Sequence, residues 1–147
     1  MPKMTGAKYL AGTLKAYGVT HVFFVPATLR RSLAEMDLLG IKRVVTHGEK
    51  AAAYMADGYA RASNRVGVCM AQSVGAVNLA AGLQDAYLGL SPVLALTGHK
   101  SNLQQNRNAY QEIDHSRPFA ATTKFSAVVD TVNDLPGLLH QAFREAT

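Results

Sequence analysis

The sequence predicts an α/β fold built on a doubly wound parallel sheet, and three observations carry that prediction. Short apolar runs at residues 21–25, 41–46, 66–71 and 92–97 recur along the chain. Between them lie amphipathic stretches of about ten to fifteen residues, the length of a crossover helix. The runs themselves are nearly continuous in apolar character rather than alternating, as strands are when helices cover both faces of a sheet. The chain has 147 residues, 48% of them hydrophobic, which is enough to build one sizeable core without staples.

Each element has a local reason. Thr5 is placed to cap a first helix in which Ala7, Leu10, Ala11, Leu14 and Tyr17 recur at helical spacing, before Gly18 stops the run. Residues 21–25 (HVFFV) form a continuous apolar strand closed by Pro26. Thr28 can cap a second helix carrying Leu29, Leu33, Met36 and Leu39, ended by Gly40. Residues 41–46 read as the second strand and 49–62 as a long helix. A third strand follows over 66–71, then a helix over 76–88, and a fourth strand over 92–97 ends at Gly98. Residues 99–118 lose periodicity and turn polar, so they read as a long loop. A further strand near 125–129 and a helix over 135–146 close the chain.

Composition excludes several classes of function. Lys and Arg number 15 against 10 Asp and Glu, a formal charge of +5. The basic residues are scattered singly or in pairs (Arg30-Arg31, Lys42-Arg43), with no stripe interleaved with aromatics, so a nucleic-acid partner is not expected. The lone Cys69 rules out a disulfide framework and any multi-cysteine zinc site, and within its apolar run it reads as a buried thiol. No run approaches the roughly 20 apolar residues of a membrane span, and the first residues have no apolar signal core. The expectation is a cytoplasmic protein without a membrane partner. None of the five histidines pairs with a second at helical spacing around a Glu, so no metal site is expected from this chain alone.

Ligands of open parallel sheets bind beyond the carboxyl ends of the strands. That selects residues 26–28, 47–49, 72–78 and the loop from Gly98 onward. Neither GxxxxGK[ST] nor GxGxxG occurs, so nucleoside triphosphate and dinucleotide sites are unsupported. Ala71-Gln72-Ser73-Val74-Gly75 resembles a nucleophile elbow whose first Gly is replaced by Ala. Ser73, then Asp114 or Asp130, then His140 would follow the chain order of a hydrolase triad. Against this serine-hydrolase reading, His140 falls mid-helix beside Leu138 and Leu139, and a serine between strand and helix is more often a cap.

Glu49 stands apart, because it opens a helix directly after a strand end. As a first-turn carboxylate it stabilises the helix dipole by a few tenths to about 1 kcal/mol. Ala51, Ala52, Ala53, Ala56, Gly58 and Ala60 give that helix an unusually small face suited to close approach by another backbone, and Tyr54 and Tyr59 add interface-like surface. The run Glu49…Ala56-Asp57-Gly58-Tyr59-Ala60-Arg61 resembles the signature of the pyrimidine-binding (PYR) domain of thiamine diphosphate enzymes, nearest the acetolactate synthase-like 2-oxo acid enzymes. Supporting matches run in order along essentially the whole chain: Tyr17-Gly18-Val19, Phe23-Phe24-Val25-Pro26, Ser73…Gly75…Asn78, Ala81-Gly82-Leu83…Asp85-Ala86, Ser91-Pro92-Val93…Thr97-Gly98, Tyr110-Gln111-Glu112 and Thr123-Lys124.

The resemblance implies a three-layer αβα thiamine diphosphate-binding fold and a catalytic role for Glu49. The matching glutamate hydrogen-bonds the aminopyrimidine ring of the cofactor, which then relays the proton from its thiazolium carbon and serves as an electron sink for decarboxylation or carboligation of a 2-oxo acid. Val25 and Pro26 match the residues lining the pyrimidine ring. Ser73, Gly75 and Asn78 match the loop over it, Gln111 a glutamine facing the active site, and Lys124 a lysine after the long loop. Asn78 can equally be a cap or packing residue, and Gln111 simply a solvated loop residue.

Three departures bear on these expectations. The family's Gly-x-Pro-Gly reads Phe24-Val25-Pro26-Ala27, without either glycine, and its Gly-Pro-Gly reads Ser73-Val74-Gly75, one residue shorter and without proline. No Gly-Asp-Gly occurs, so Mg²⁺ and the diphosphate would be held by a PP domain of the same enzyme or of a partner subunit. The family's closing strand is also not found before Thr147, so the sheet is expected to lack its last strand and the chain alone to be inactive. PYR domains pair, so a homodimer or higher oligomer is expected. The alternatives are a non-catalytic assembly module of the same fold, pairing through its small-faced helices, and the serine hydrolase.

Overall fold

Residues 3–26 and 29–147 are described by a computed structural model of the chain. Its elements are α1 (Gly6–Ala16), β1 (His21–Phe24), α2 (Arg30–Leu38), β2 (Lys42–Val45), α3 (Glu49–Ser63), β3 (Gly67–Gln72), α4 (Gly75–Leu88), β4 (Val93–Gly98), α5 (Ser116–Ala120) and α6 (Leu135–Ala146). The caps and stops act as the sequence suggests. Thr5 accepts from the Lys8 amide at 3.2 Å, and Gly18 and Gly40 take the positive φ values that end α1 and α2 (+76° and +70°). Thr28, expected to cap α2, lies outside the described residues.

The strands form one parallel sheet in the order β2-β1-β3-β4, with Phe24 paired to Val45 on one side and to Met70 on the other. Because side chains alternate across a strand, the sheet sorts its residues between two cores. Val22, Phe24, Val68, Met70 and Leu94 meet Leu10, Leu14, Met36, Leu139 and Phe143 from α1, α2 and α6. Phe23, Cys69 and Ala71 meet Ala53, Ala56, Leu79, Leu83 and Phe119 from α3, α4 and α5. This is the expected three-layer arrangement.

The small face of α3 is used inside the chain. A Cβ added to Gly67 would sit 2.8 Å from the Ala56 carbonyl carbon, and one on Gly82 would sit 2.8 Å from both the Ala53 Cβ and the Lys50 carbonyl oxygen. Backbone therefore approaches backbone on both flanks of α3, and Ala52, Ala53, Ala56 and Ala60 are consumed by packing against β3 and α4.

Two expectations fail. Residues 125–129 form no strand: they run unpaired, with Val128 and Val129 exposed. β-branched residues make a strand only when a neighbouring ladder accepts their backbone groups, and none does so here. The segment 99–118 is also not loop throughout, because its end enters the short helix α5. The Asp114 carboxylate accepts from the Ser116 amide (2.8 Å) and hydroxyl (2.6 Å) to start that turn, and Phe119 anchors it in the second core. Among the described residues no helix is long and apolar enough to cross a membrane.

Candidate functional site

The carboxyl ends of β1, β2 and β3 meet at one edge of the sheet, and the turns leaving them carry the residues of interest. At the end of β2, the Thr46 amide donates to the Phe24 carbonyl at 2.9 Å. The Thr46 hydroxyl is shared between the carbonyls of Phe24 (3.3 Å) and Gly48 (2.9 Å). This ties the exit of β2 to that of β1 and delivers Glu49 as the first residue of α3.

From the neighbouring β3, the turn at residues 73–75 starts α4 and brings its first turn against Glu49. The Asn78 side-chain amide donates to Glu49 Oε2 at 3.2 Å. A Cβ on Gly75 would lie 2.9 Å from the Glu49 carboxyl carbon and closer still to Oε1, so the glycine is what leaves the carboxylate its place. Of the residues singled out in the sequence, Glu49, Gly75 and Asn78 are thus in direct register. The Asn78 side chain bonds to Glu49 rather than capping a helix end.

Ser73 shapes that turn. It is buried and sits at φ +52°, in the left-handed region, at a cost on the order of 1 kcal/mol for a residue with a Cβ. Its amide donates to the Gly98 carbonyl (2.7 Å), and its carbonyl accepts from the Ala76 amide (3.0 Å). The same carbonyl accepts from His115 Nε2 at 3.0 Å, while His115 Nδ1 lies 3.1 Å from the Thr97 hydroxyl. Sequence reading missed His115, which lies in an aperiodic polar stretch with no local signal marking it.

Val25 is half-buried and Pro26 exposed, both directly beyond the end of β1 at the same sheet edge. Gln111 is exposed at φ +59°, and its amide donates to the Tyr110 hydroxyl at 3.3 Å. Among the described residues no hydrogen bond joins Gln111 to Glu49, Gly75 or Asn78. Its loop is organised by Glu112, whose carboxylate accepts from the amides of Ala109 (2.9 Å) and Asn106. Those amides hold the Glu112 carboxyl below the usual carboxylate range. Lys124 is exposed.

The hydrolase triad does not assemble. His140 lies on α6 in the layer opposite α4, with Nδ1 2.6 Å from the Tyr17 hydroxyl. Asp114 is engaged by Ser116, and the Asp130 carbonyl accepts from Asn102 at 3.2 Å at the chain's surface. Chain order alone could not reveal that the sheet separates Ser73 from His140. Burial pushes the Cys69 thiol up to about 12, which makes it inert as a nucleophile. Burial pushes the Asp57 carboxyl up, but the Arg61 guanidinium 2.8 Å away and the Ser91 hydroxyl together outweigh it and hold the group below the usual carboxylate range, so it is an anion in the α3–α4 layer. Among the described residues no group of three or more His, Cys, Asp or Glu could hold a metal ion.

A family model described as "Thiamine pyrophosphate enzyme, N-terminal TPP binding domain" matches residues 4–117. The chain belongs to this family. Acetolactate synthase of Arthrospira platensis is 37% identical over 150 residues, covering 98% of this chain and 26% of the relative. Acetolactate synthase isozyme 2 large subunit of Escherichia coli (strain K12) is 38% identical over 144 residues, 95% of this chain and 26% of the relative. A probable acetolactate synthase large subunit of Methanocaldococcus jannaschii is 37% identical over 149 residues, 98% of this chain and 25% of the relative. The chain spans about a quarter of the length of these relatives. Within this thiamine pyrophosphate-binding domain, Glu49, Gly75 and Asn78 all fall inside the matched segment.

Proposed function

We propose that this chain is the pyrimidine-binding part of a thiamine diphosphate-dependent, acetolactate synthase-like enzyme acting on 2-oxo acids. The observation that carries the reading is the cradle at the first turns of α3 and α4. There a carboxylate, an amide and a glycine with no side chain converge where the strand ends open. A carboxylate seated against Gly75 and held by the Asn78 amide at the strand ends suits a flat heterocycle with a basic ring nitrogen.

In this reading Glu49 Oε1 or Oε2 holds and returns a proton at the pyrimidine ring nitrogen, and Asn78 orients the carboxyl group. Gly75 leaves the carboxylate its room, Ser73 sets the turn, and Val25 and Pro26 would line the ring. Gln111 would face the substrate from the long loop. When bound, the cofactor supplies the electron sink that lets a 2-oxo acid lose carbon dioxide. Mg²⁺ and the diphosphate would be held by a PP domain, in the same enzyme or a partner subunit, in a cytoplasmic homodimer or larger assembly. By itself the chain would be inactive.

The test is Glu49→Gln in the complete enzyme. Turnover of pyruvate should fall by about 100-fold or more, the scale of a lost general acid–base group, with the circular dichroism spectrum unchanged. Unimpaired turnover would sink the assignment.

A further inference from the structure

We infer that His115 is a positioning residue: it holds the Ser73 carbonyl, and through it the first turn of α4, so that Gly75 and Asn78 stay in register with the Glu49 carboxylate. The inference rests on reading the Glu49 cradle as the cofactor site.

His115 is 8% exposed and reaches Ser73 across 42 residues of sequence. A carbonyl oxygen only accepts, so the 3.0 Å contact requires a proton on Nε2. Nδ1 is then a bare acceptor for the Thr97 hydroxyl at 3.1 Å. One neutral tautomer therefore satisfies both ring nitrogens and links β4, the turn after β3 and the end of the long loop. Burial favours that neutral form. The Ser73 carbonyl opposes it, the His99 ring 6.0 Å away assists it, and the Asp114 carboxylate opposes it, with a net pKa below the ordinary histidine value.

The pin is needed because Ser73 occupies the left-handed region without a glycine's freedom. Among the described residues its carbonyl has two donors, Ala76 from within the turn and His115 from outside it. Of these two, His115 ties the turn to the rest of the molecule through that oxygen. His115 is itself held in place by the Asp114–Ser116 bonds on one side and by buried Phe119 on the other. If Ser73 relaxes, Gly75, two residues further on, shifts with it, and the room that its missing side chain leaves is already filled by the Glu49 carboxylate.

The experiment compares three forms of the complete enzyme. These are wild type, His115→Gln, whose amide can still donate to a carbonyl, and His115→Phe, which keeps the bulk and loses the donor. Nitrogen-15 NMR of labelled histidine in the wild type should show a protonated Nε2 and a bare Nδ1 near neutral pH. In His115→Phe, hydrogen exchange at residues 73–76 should accelerate, and thiamine diphosphate binding should weaken, each by about tenfold, the loss expected when one of the two hydrogen bonds to the Ser73 carbonyl is removed. His115→Gln should stay within about threefold of wild type in both. A proton on Nδ1, wild-type protection in His115→Phe, or a Gln variant as defective as Phe would overturn the proposal. Should the wild type bind no thiamine diphosphate, the cofactor reading fails, while tautomer and exchange still decide the positioning role. If His115→Phe does not fold, the tautomer and the Gln variant decide it.

Discussion

Gly75 shows how much a single absent side chain can decide. Gly75→Ala would place a Cβ 2.9 Å from the Glu49 carboxyl carbon, so either the carboxylate swings off Asn78 or the start of α4 shifts. The expected outcome is a folded protein destabilised by about 1–3 kcal/mol, with thiamine diphosphate affinity reduced about tenfold or more by calorimetry. Wild-type affinity would show that the cradle is not the binding site. Glu112 carries a second prediction at this scale. Its folded pKa is lowered, so the order it gives its loop is full above the ordinary glutamate range and is lost as pH falls through its folded value. Glu112→Gln should therefore raise amide exchange at Asn106 and Ala109 at neutral pH, and leave little further change on acidification. Strand ends marked Glu49 and the segment 72–78 in the sequence, and within that segment Gly75 and Asn78 were singled out by the family resemblance. His115 was not, because its partners Ser73 and Thr97 are brought to it by the sheet rather than by spacing.

In the layer α3–β3–α4, backbone comes close to backbone. Gly67→Ala would drive a Cβ against the Ala56 carbonyl, which is backbone and cannot turn aside. A loss of about 2–3 kcal/mol or more in urea unfolding is expected, because α3 must lift off the sheet. Helix α6 depends on a different contact: Phe143 is 2% exposed and stacks on Tyr17 at 4.0 Å between ring centroids. Phe143→Ala should cost about 3–5 kcal/mol and expose α6 to proteolysis before the rest of the chain. These elements were readable because helical spacing and continuous apolar runs are written locally. Residues 125–129 had the same composition as a strand and failed, since pairing is not a local property. Helix α5 went unread because its start is made by the Asp114 side chain rather than by a periodic face.

Across the whole molecule, the sheet divides two cores and gathers every strand exit at one edge. Titration of His115 couples that edge to global stability. Its folded pKa is lowered, so as pH falls the unfolded chain takes up the proton first. The contribution is full above the ordinary histidine value of about 6.5 and declines below it. Urea midpoints measured on either side of that value should show stability falling on the acid side, with the slope reduced in His115→Gln; an unchanged slope would assign the acid loss to other groups. The sequence by itself determined the parallel αβα class, the order of nearly all its elements and the identity of Glu49 as the residue to question. Those depend on periodicity, punctuation and motif offsets, which are one-dimensional. Only the tertiary structure decided that Ser73 and His140 are divided by the sheet, that the small face of α3 is used within the chain, and that His115 bears on the turn beside Glu49. Each of those is a contact between segments far apart in sequence, set by which face of the sheet and which strand exit each segment occupies.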